Sequence, residues 1–259
     1  MLSNTEDTFA HIMAPLRRQV RFVFVRHGQS EGNVAKAMQG HLDRNLTTLG
    51  RRQAIATAAW IRTQQWNVAA TLASPLARAQ QTAAILCDGA ALPRAQHAPE
   101  AIELHTGVFT GLDFEQIATR FPDEYAAFQV ESWEAVPEAE SIDSLWQRAA
   151  AVWRRMVRLG NTAAFSDPTV VCVSHGGMLQ WIVKRSFGPE GAARRWMPLT
   201  TASNCGVFEY VARPVFTRSS DGTERRGYYG QWARFNFRAQ PDLAPLSIRQ
   251  AEPAREVAR

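Results

Sequence analysis

The sequence has 259 residues, a formal net charge of +5 and a pI of about 9.5. Its 46% of hydrophobic and 20% of charged residues exclude a disordered chain, and no apolar run reaches the ~18 residues of a membrane span. The N-terminal region, with Glu6 and Asp7, is not typical of a signal peptide. Three widely spaced cysteines, Cys87, Cys172 and Cys205, argue against a disulfide framework or a cysteine-type zinc site, so we expect a cytoplasmic protein.

The chain begins with a segment that lacks periodicity. Residues 1–19 are therefore predicted to form a flexible tail ahead of a domain at 20–238. Val20–Val25 is an apolar, β-branched run, which is typical of a strand buried on both faces. A helix is predicted from Thr47 or Thr48 to about residue 65.

Strands and helices alternate through the middle of the chain. A short strand at Thr71–Ala73 is followed by Ser74 and Pro75, which predict a helix capped by the serine. A third strand is predicted near Glu100–Leu104. Two helical stretches follow, at about Asp113–Gln129 and Ser141–Leu159. The second carries one apolar stripe that is expected to face the core, formed by Leu145, Ala149, Val152, Met156 and Leu159.

The last third predicts three more strands. They are Thr169–Val173, followed by a helix at Met178–Phe187, and then Val207–Val211 and Trp232–Phe237. Residues 212–231 are predicted to form a long loop or part of a hairpin, and residues 239–259 a flexible tail. This alternation indicates an α/β fold with a largely parallel sheet.

Two histidines share one predicted position. His27 and His175 each follow a buried strand and each precede a glycine. In open α/β sheets, ligands bind at the carboxyl ends of the strands. Both imidazoles are therefore predicted to face one crevice if their strands are neighbours.

Two arginines are predicted to join this crevice. Arg26 directly precedes His27, and Arg78 lies in the first turn of a helix that follows a strand. Helix N-termini favour anions, and planar guanidinium groups match phosphate oxygens. The combination indicates a site for phosphate or a similar oxyanion.

A series of segments in this order resembles the motifs of the histidine phosphatase superfamily, also called phosphoglycerate mutase-like. They are Arg26-His27-Gly28-Gln29-Ser30-Glu31-Gly32-Asn33; Gln39-Gly40, Leu46-Thr47 and Leu49-Gly50; Ser74-Pro75-Leu76-Ala77-Arg78-Ala79-Gln80-Gln81-Thr82-Ala83; Glu103, Gly107 and Gly111-Leu112; Glu140-Ser141; and Val173-Ser174-His175-Gly176-Gly177. The resemblance covers about residues 20–210. It implies a three-layer α/β/α sandwich with a mostly parallel central sheet.

The resemblance also implies roles for the matching residues. His27 is expected to be the nucleophile that forms a phosphohistidine, and Glu103 the general acid that later activates water. The residues expected to bind the phosphoryl group are Arg26, Arg78, His175, Asn33 and Gly176. His175 is expected to act as an imidazolium, and no metal or cofactor is implied. Thr110 stands where many members have an acidic residue, which changes the polarity of the pocket.

Phosphatase and mutase activities both remain open. Mutases of this family have a longer segment before the second histidine, with an Arg-Arg-Tyr-Asp stretch that is missing between Phe121 and Ser141. A phosphatase acting on a small phosphorylated metabolite is therefore favoured over a phosphoglycerate mutase. The substrate is not predicted, although Gln39, His41, Arg44 and His105 are candidates for the mouth of the site.

Two features of the sequence are compatible with other functions. The segment from Arg225 to Phe235 interleaves arginines with aromatic residues, as in surfaces that stack single-stranded nucleic acid. A hairpin with Ala233, Phe235 and Phe237 facing inward is favoured instead, and no nucleic-acid or membrane partner is expected. A metal hydrolase is disfavoured because Arg26 and Arg78 would repel the ion. Its ligands would be His27, His105, His175 and Glu103. The protein is expected to be a monomer or a homodimer.

Overall fold

A six-stranded sheet forms the centre of the molecule, which a computed structural model describes over residues 8–188 and 201–240. The strands are β1 (Val20–Arg26), β2 (Val68–Ala73), β3 (Gln96–His97), β4 (Thr169–Ser174), β5 (Val207–Arg218) and β6 (Glu224–Phe237). Their order in the sheet is β3-β2-β4-β1-β5-β6. The first four strands in this order are parallel, whereas β5 is antiparallel to β1 and β6 to β5. The sheet is therefore mostly parallel, as predicted.

Helices cover both faces of the sheet. They are α1 (Phe9–Met13), α2 (Glu31–Val34), α3 (Thr48–Thr63), α4 (Ala77–Ala90), α5 (Phe114–Arg120), α6 (Pro122–Glu131), α7 (Ile142–Thr162) and α8 (Gly176–Phe187). Side chains alternate along β1, so that Phe22 and Phe24 pack in one core with α1, α7 and α8. Val23 and Val25 pack in a second core with α3 and α4. This arrangement confirms the predicted three-layer α/β/α sandwich.

Polar caps set the beginnings of the two long helices. The side chain of Thr47 accepts the Gly50 N–H before α3, and that of Ser141 accepts the Ser144 N–H before α7. The apolar positions predicted for α7 are buried from Leu145 to Met156. None of the helices in the described ranges is long and apolar enough to span a bilayer.

The predicted N-terminal tail is wrong for the residues that the structure describes. Residues 1–7 lie outside them, but Thr8 caps α1, whose Phe9, Ile12 and Met13 are buried. The ring of Phe9 packs edge-on against that of Trp153 in α7, with the ring centroids 5.1 Å apart. This short helix therefore packs the segment onto the core. Five residues are too few for a periodic sequence pattern to predict the contact. Of the predicted C-terminal tail, residues 241–259 also lie outside the described chain.

Two predictions for the middle of the chain are also wrong. The strand expected near Glu100–Leu104 is a 3₁₀ turn over Pro99–Ala101 followed by irregular backbone, and only Gln96–His97 pairs with β2. The helix expected over Asp113–Gln129 is divided into α5 and α6. The break falls at Phe121 because Pro122 lacks the N–H that a continuous helix needs.

Of the two alternatives for residues 212–231, the hairpin is correct: these residues form the arms of a long hairpin with its turn between Ser219 and Thr223. The predicted inward face of β6 is wrong in part, because Phe237 packs against the second core but Phe235 does not lie inside. Trp232 packs on the core, whereas Phe235 is 44% exposed. Arg234 lies on the opposite face of the sheet, over the Trp60 ring of α3, and pairs with the buried carboxylate of Glu209. A register shift beside Glu209 changes which residues face inward.

Candidate active site

β1 places His27 at the carboxyl edge of the sheet. The ring is 1% exposed, and its Nδ1 lies 2.7 Å from the carbonyl oxygen of Gly28. Because a carbonyl oxygen only accepts hydrogen bonds, the neutral ring carries its proton on Nδ1. The lone pair of the neutral imidazole is then on Nε2, where it can attack an electrophile.

Close backbone packing fixes the loop after His27. The Gly28 N–H donates to Oγ1 of Thr82 at 3.0 Å, and this hydroxyl donates to the Arg78 carbonyl oxygen at 2.7 Å. A Cβ atom on Gly28 would lie 2.4 Å from the Gly50 carbonyl oxygen. Only glycine allows this close approach. The packing fixes the position of the Gly28 carbonyl group, whose oxygen accepts the hydrogen bond that orients His27.

β4 brings His175 beside His27. The two strands are neighbours, with Arg26 paired to Ser174, so both chains leave the sheet at the same level. The ring centroids lie 5.2 Å apart. The crevice expected at these two strand ends is therefore present.

Arg78 and Ser74 hold His175 from both sides. Arg78 Nε donates to Nδ1 of His175 at 3.2 Å, and Nε2 of His175 lies 2.6 Å from Oγ of Ser74. Since a guanidinium only donates, Nδ1 accepts and the proton of the neutral ring is on Nε2. Ser74 thus accepts from His175 and does not cap α4 as predicted, because α4 begins at Ala77, whose N–H Asp43 binds at 2.6 Å.

Both histidines are held neutral. Burial, followed by the charges of Arg26 and Arg78, places the pKa of His27 well below its usual range. Burial, followed by the charge of Arg78, does the same to the pKa of His175. The expectation of a His175 imidazolium is therefore wrong, whereas the neutral His27 is the form that a nucleophile requires.

Arg26 presents an unused donor in the same crevice. One of its terminal nitrogens donates to the Ala202 carbonyl oxygen, but its Nε is buried without a hydrogen-bond partner. A Cβ atom on Gly176 would lie only 3.2 Å from this Nε. Glycine at this position therefore leaves space beside the guanidinium group, which an anion can fill.

Glu103 lies at the N-terminus of α8. Its Oε1 accepts the N–H groups of Leu104 at 3.0 Å and Met178 at 2.8 Å, and its Oε2 accepts that of Gly177 at 3.1 Å. The carboxylate is thereby fixed by the backbone, with both of its oxygens held at the N-terminus of α8.

Asn33 lies within the short helix α2, where it forms a capping box with Ser30. Its Oδ1 accepts from the Ser30 N–H and from Asn204 Nδ2, which also donates to the His27 carbonyl oxygen. These contacts use the oxygen of the Asn33 amide, so its NH₂ group remains available as the predicted phosphate donor.

The four candidates for the mouth are in different places. His41 and His105 are neighbours, with ring centroids 5.1 Å apart, and His41 Nε2 bonds the Glu103 carbonyl oxygen at 2.7 Å. Gln39 is buried and accepts from the Ser30 hydroxyl, so it supports the loop from inside. Arg44 is exposed to solvent.

Several positioning residues were not predicted. Arg148 of α7 binds both carboxylate oxygens of Glu140 and donates to the carbonyl oxygens of Glu100 and Ile102. It thereby holds the loop that carries Glu103. Thr110, the departure from the family pattern, lies 2.7 Å from Thr106 through the two hydroxyl oxygens. Within residues 8–188 and 201–240, no group of three or more His, Cys, Asp or Glu side chains is arranged to hold a metal ion.

Comparison with known proteins identifies the family. The model of the histidine phosphatase superfamily (branch 1) matches residues 22–218. The chain belongs to this superfamily. The predicted family, fold and phosphatase class of enzyme are therefore confirmed.

The relatives include phosphatases and a mutase. A metal-independent phosphoserine phosphatase from Arabidopsis thaliana is 30% identical over 66% of this chain and 71% of its own. A probable phosphoglycerate mutase GpmB from Yersinia pestis is 32% identical over 69% of this chain and 80% of its own. A mycobacterial glucosyl-3-phosphoglycerate phosphatase, solved in complex with VO3, has a TM-score of 0.64 and 26% identity over 83% of this chain and 98% of that one.

Proposed function

We propose that the protein hydrolyses phosphate monoesters of small metabolites through a phosphohistidine on His27. The observation that carries this proposal is the Nδ1–H bond from His27 to Gly28, which leaves Nε2 unprotonated in a buried crevice. A lowered pKa keeps the ring in this form at neutral pH.

The surrounding donors suit a phosphoryl group. Arg78 uses Nε and one bond from each terminal nitrogen on protein acceptors, so each terminal nitrogen retains an N–H for a ligand. Arg26 offers its buried Nε. Phosphoryl transfer needs stabilised equatorial oxygens above all, and two fixed guanidinium groups supply this charge. We propose that His175, Asn33 and the Gly176 backbone complete the pocket.

The reaction has two steps. In the first, Nε2 of His27 forms a bond to phosphorus while the ester P–O bond breaks, and Glu103 gives its proton to the leaving oxygen. In the second, Glu103 takes a proton from water as the water oxygen attacks phosphorus and the P–N bond breaks. Inorganic phosphate and the free alcohol are released, and both residues return to their starting states.

A phosphoglycerate mutase is the second candidate, favoured by the Yersinia relative. A mutase returns the phosphoryl group of the same intermediate to a substrate hydroxyl, and it must keep water out while doing so. The phosphatase is preferred because the chain lacks the Arg-Arg-Tyr-Asp stretch that is typical of mutases.

A substrate panel tests the proposal. Phosphoserine, glucosyl-3-phosphoglycerate and simple alkyl phosphates would be assayed for phosphate release, and 3-phosphoglycerate for isomerisation, before and after exhaustive EDTA treatment. We expect hydrolysis that EDTA does not abolish, that is lost in His27→Asn and that persists in the exposed-site control His97→Asn. Isomerisation faster than hydrolysis would favour the mutase, and full activity in His27→Asn would contradict the nucleophile.

The cellular setting is proposed on separate grounds. Cys87, Cys172 and Cys205 are free thiols, which is consistent with a reducing compartment such as the cytoplasm. We propose a monomer or a homodimer with a small phosphorylated metabolite as its partner. Gel filtration with light scattering would decide the oligomeric state.

A further inference from the structure

A second cavity lies at the end of the sheet opposite to His27. β5 runs past the first residue of β1, where Ala212 pairs with Val20, so the tip of the hairpin projects beyond the sheet. β1 has seven residues, so this end is about 20 Å from the active site at about 3.3 Å per residue. The cavity lies between α1, α7 and β6 and has a volume of about 500 Å³.

One part of the cavity lining is apolar. Ile12 and Pro15 line it from α1 and the following loop, and Val157 lines it from α7. At the hairpin, Phe216 is 68% exposed, and its ring lies 5.5 Å from the guanidinium carbon of Arg226, which also lines the cavity. An aliphatic or aromatic group entering here would leave water for an apolar surface.

The other part is strongly cationic. Arg17, Arg154, Arg158 and Arg226 line the same cavity. Arg154 and Arg158 are one helical turn apart on α7, and within the described residues neither forms an ion pair. Their neighbours on the helix differ, because Arg148 pairs with Glu140 and Arg155 with Glu100.

This contrast points to an absent anion. Like charges at this spacing on a helix repel one another. A carboxylate relieves that repulsion for Arg148 and Arg155, whereas nothing in the described chain does so for Arg154 and Arg158. A guanidinium group that has no carboxylate partner and lies beside a cavity is suited to bind a phosphate, sulfonate or carboxylate through two parallel hydrogen bonds.

We propose that this arginine-rimmed cavity binds a small amphipathic anion, with a charged head group on Arg154 and Arg158 and an apolar body against Ile12, Pro15 and Val157. The site is distinct from the crevice of His27, and the proposal does not depend on the activity proposed above. A free, monomeric ligand is favoured over a bilayer because the apolar surface is recessed in a cavity between α1, α7 and β6 and is not a flat outer face.

Titration calorimetry with decane-1-sulfonate tests this site. The compound has the required head and body and, because it is not a phosphate ester, it offers no phosphoryl group to His27. We expect one binding event per chain. Hexane-1-sulfonate should bind at least tenfold more weakly, because each buried methylene group strengthens binding by about fourfold.

Charge-matched variants assign the binding. Arg154→Gln with Arg158→Gln should weaken the affinity at least tenfold, whereas Arg51→Gln with Arg62→Gln, two exposed arginines of α3, should leave it unchanged. Circular dichroism would verify that each variant is folded. Equal affinity in both double variants, or no heat with decane-1-sulfonate, would overturn the proposal. Binding to anionic vesicles without binding of the monomeric sulfonate would overturn it in favour of a membrane-facing surface.

Discussion

The buried histidines should make the protein lose stability as the pH falls below about 6.5. His27 and His175 each have a pKa well below the usual value in the folded protein, through burial first and then the nearby arginines. In the unfolded chain both regain the ordinary pKa of about 6.5. The unfolded state therefore binds more protons below that pH, and acid shifts the equilibrium toward it.

The size of this effect follows from proton linkage. Each histidine that is protonated only in the unfolded state changes the free energy of unfolding by up to about 1.4 kcal/mol per pH unit. The pair therefore changes it by up to about 2.7 kcal/mol per pH unit. The stability is fully present above pH 6.5 and falls with pH until the folded pKa is reached. Carboxyl groups such as Glu140 affect stability only at a lower pH. Burial raises the pKa of Glu140, but hydrogen bonds and the charge of Arg148 outweigh it, so that this pKa lies below its usual 4.5.

Urea unfolding between pH 7.5 and 5 in phosphate-free buffer measures this slope. His27→Asn removes one titrating ring and retains an N–H donor for the Gly28 carbonyl oxygen, so its slope should fall by up to about 1.4 kcal/mol per pH unit. A variant slope equal to that of the wild type would refute the reasoning, because His27 would then bind protons equally in both states.

Three further changes have defined outcomes. Glu103→Gln should slow hydrolysis of alkyl phosphates by about 10²–10⁴-fold but affect p-nitrophenyl phosphate much less, and equal losses with both would move the acid role elsewhere. Gly176→Ala places a carbon 3.2 Å from Arg26 Nε and should raise the inhibition constant of vanadate about tenfold or more, whereas Gly227→Ala, where nothing lies within 4 Å of the new carbon, should not. Ser74→Ala leaves the His175 Nε2–H without its acceptor and should lower the free energy of unfolding by about 1–3 kcal/mol. Urea denaturation that showed no loss would contradict the tautomer assigned to His175.

The sequence predicted the parts of the fold that local patterns determine. The apolar runs of β1 and β4 identify buried strands, and the stripe on α7 identifies its core face. Because parallel strands end at one edge, the positions of His27 and His175 sufficed to place both rings in one crevice.

Tertiary contacts overrode local signals elsewhere. Ser74 and Pro75 have the pattern of a helix start, yet the Ser74 hydroxyl is needed by a histidine 101 positions later in the chain. The face of β6 was wrong in part because Arg234 pairs with the buried Glu209. Neither the hydrogen bond between Ser74 and His175 nor the ion pair between Arg234 and Glu209 can be predicted from a short-range sequence pattern.

Other site residues were missed for the same reason. Asn204 reaches the His27 carbonyl oxygen from a turn before β5, and Arg148 reaches the Glu103 loop from the second turn of α7. Each resembles an ordinary polar surface residue in the sequence. Only the packed structure shows that their hydrogen bonds end at the active site.

Trapping the intermediate tests the central claim most directly. The enzyme would be mixed with the best substrate of the panel, quenched within milliseconds in base, where phosphohistidine survives, and digested for mass spectrometry. We expect a phosphoryl group on the peptide that contains His27, formed at a rate no slower than turnover and absent from His27→Asn. A phosphoryl group on another residue, or turnover with no phosphorylated peptide, would contradict the mechanism.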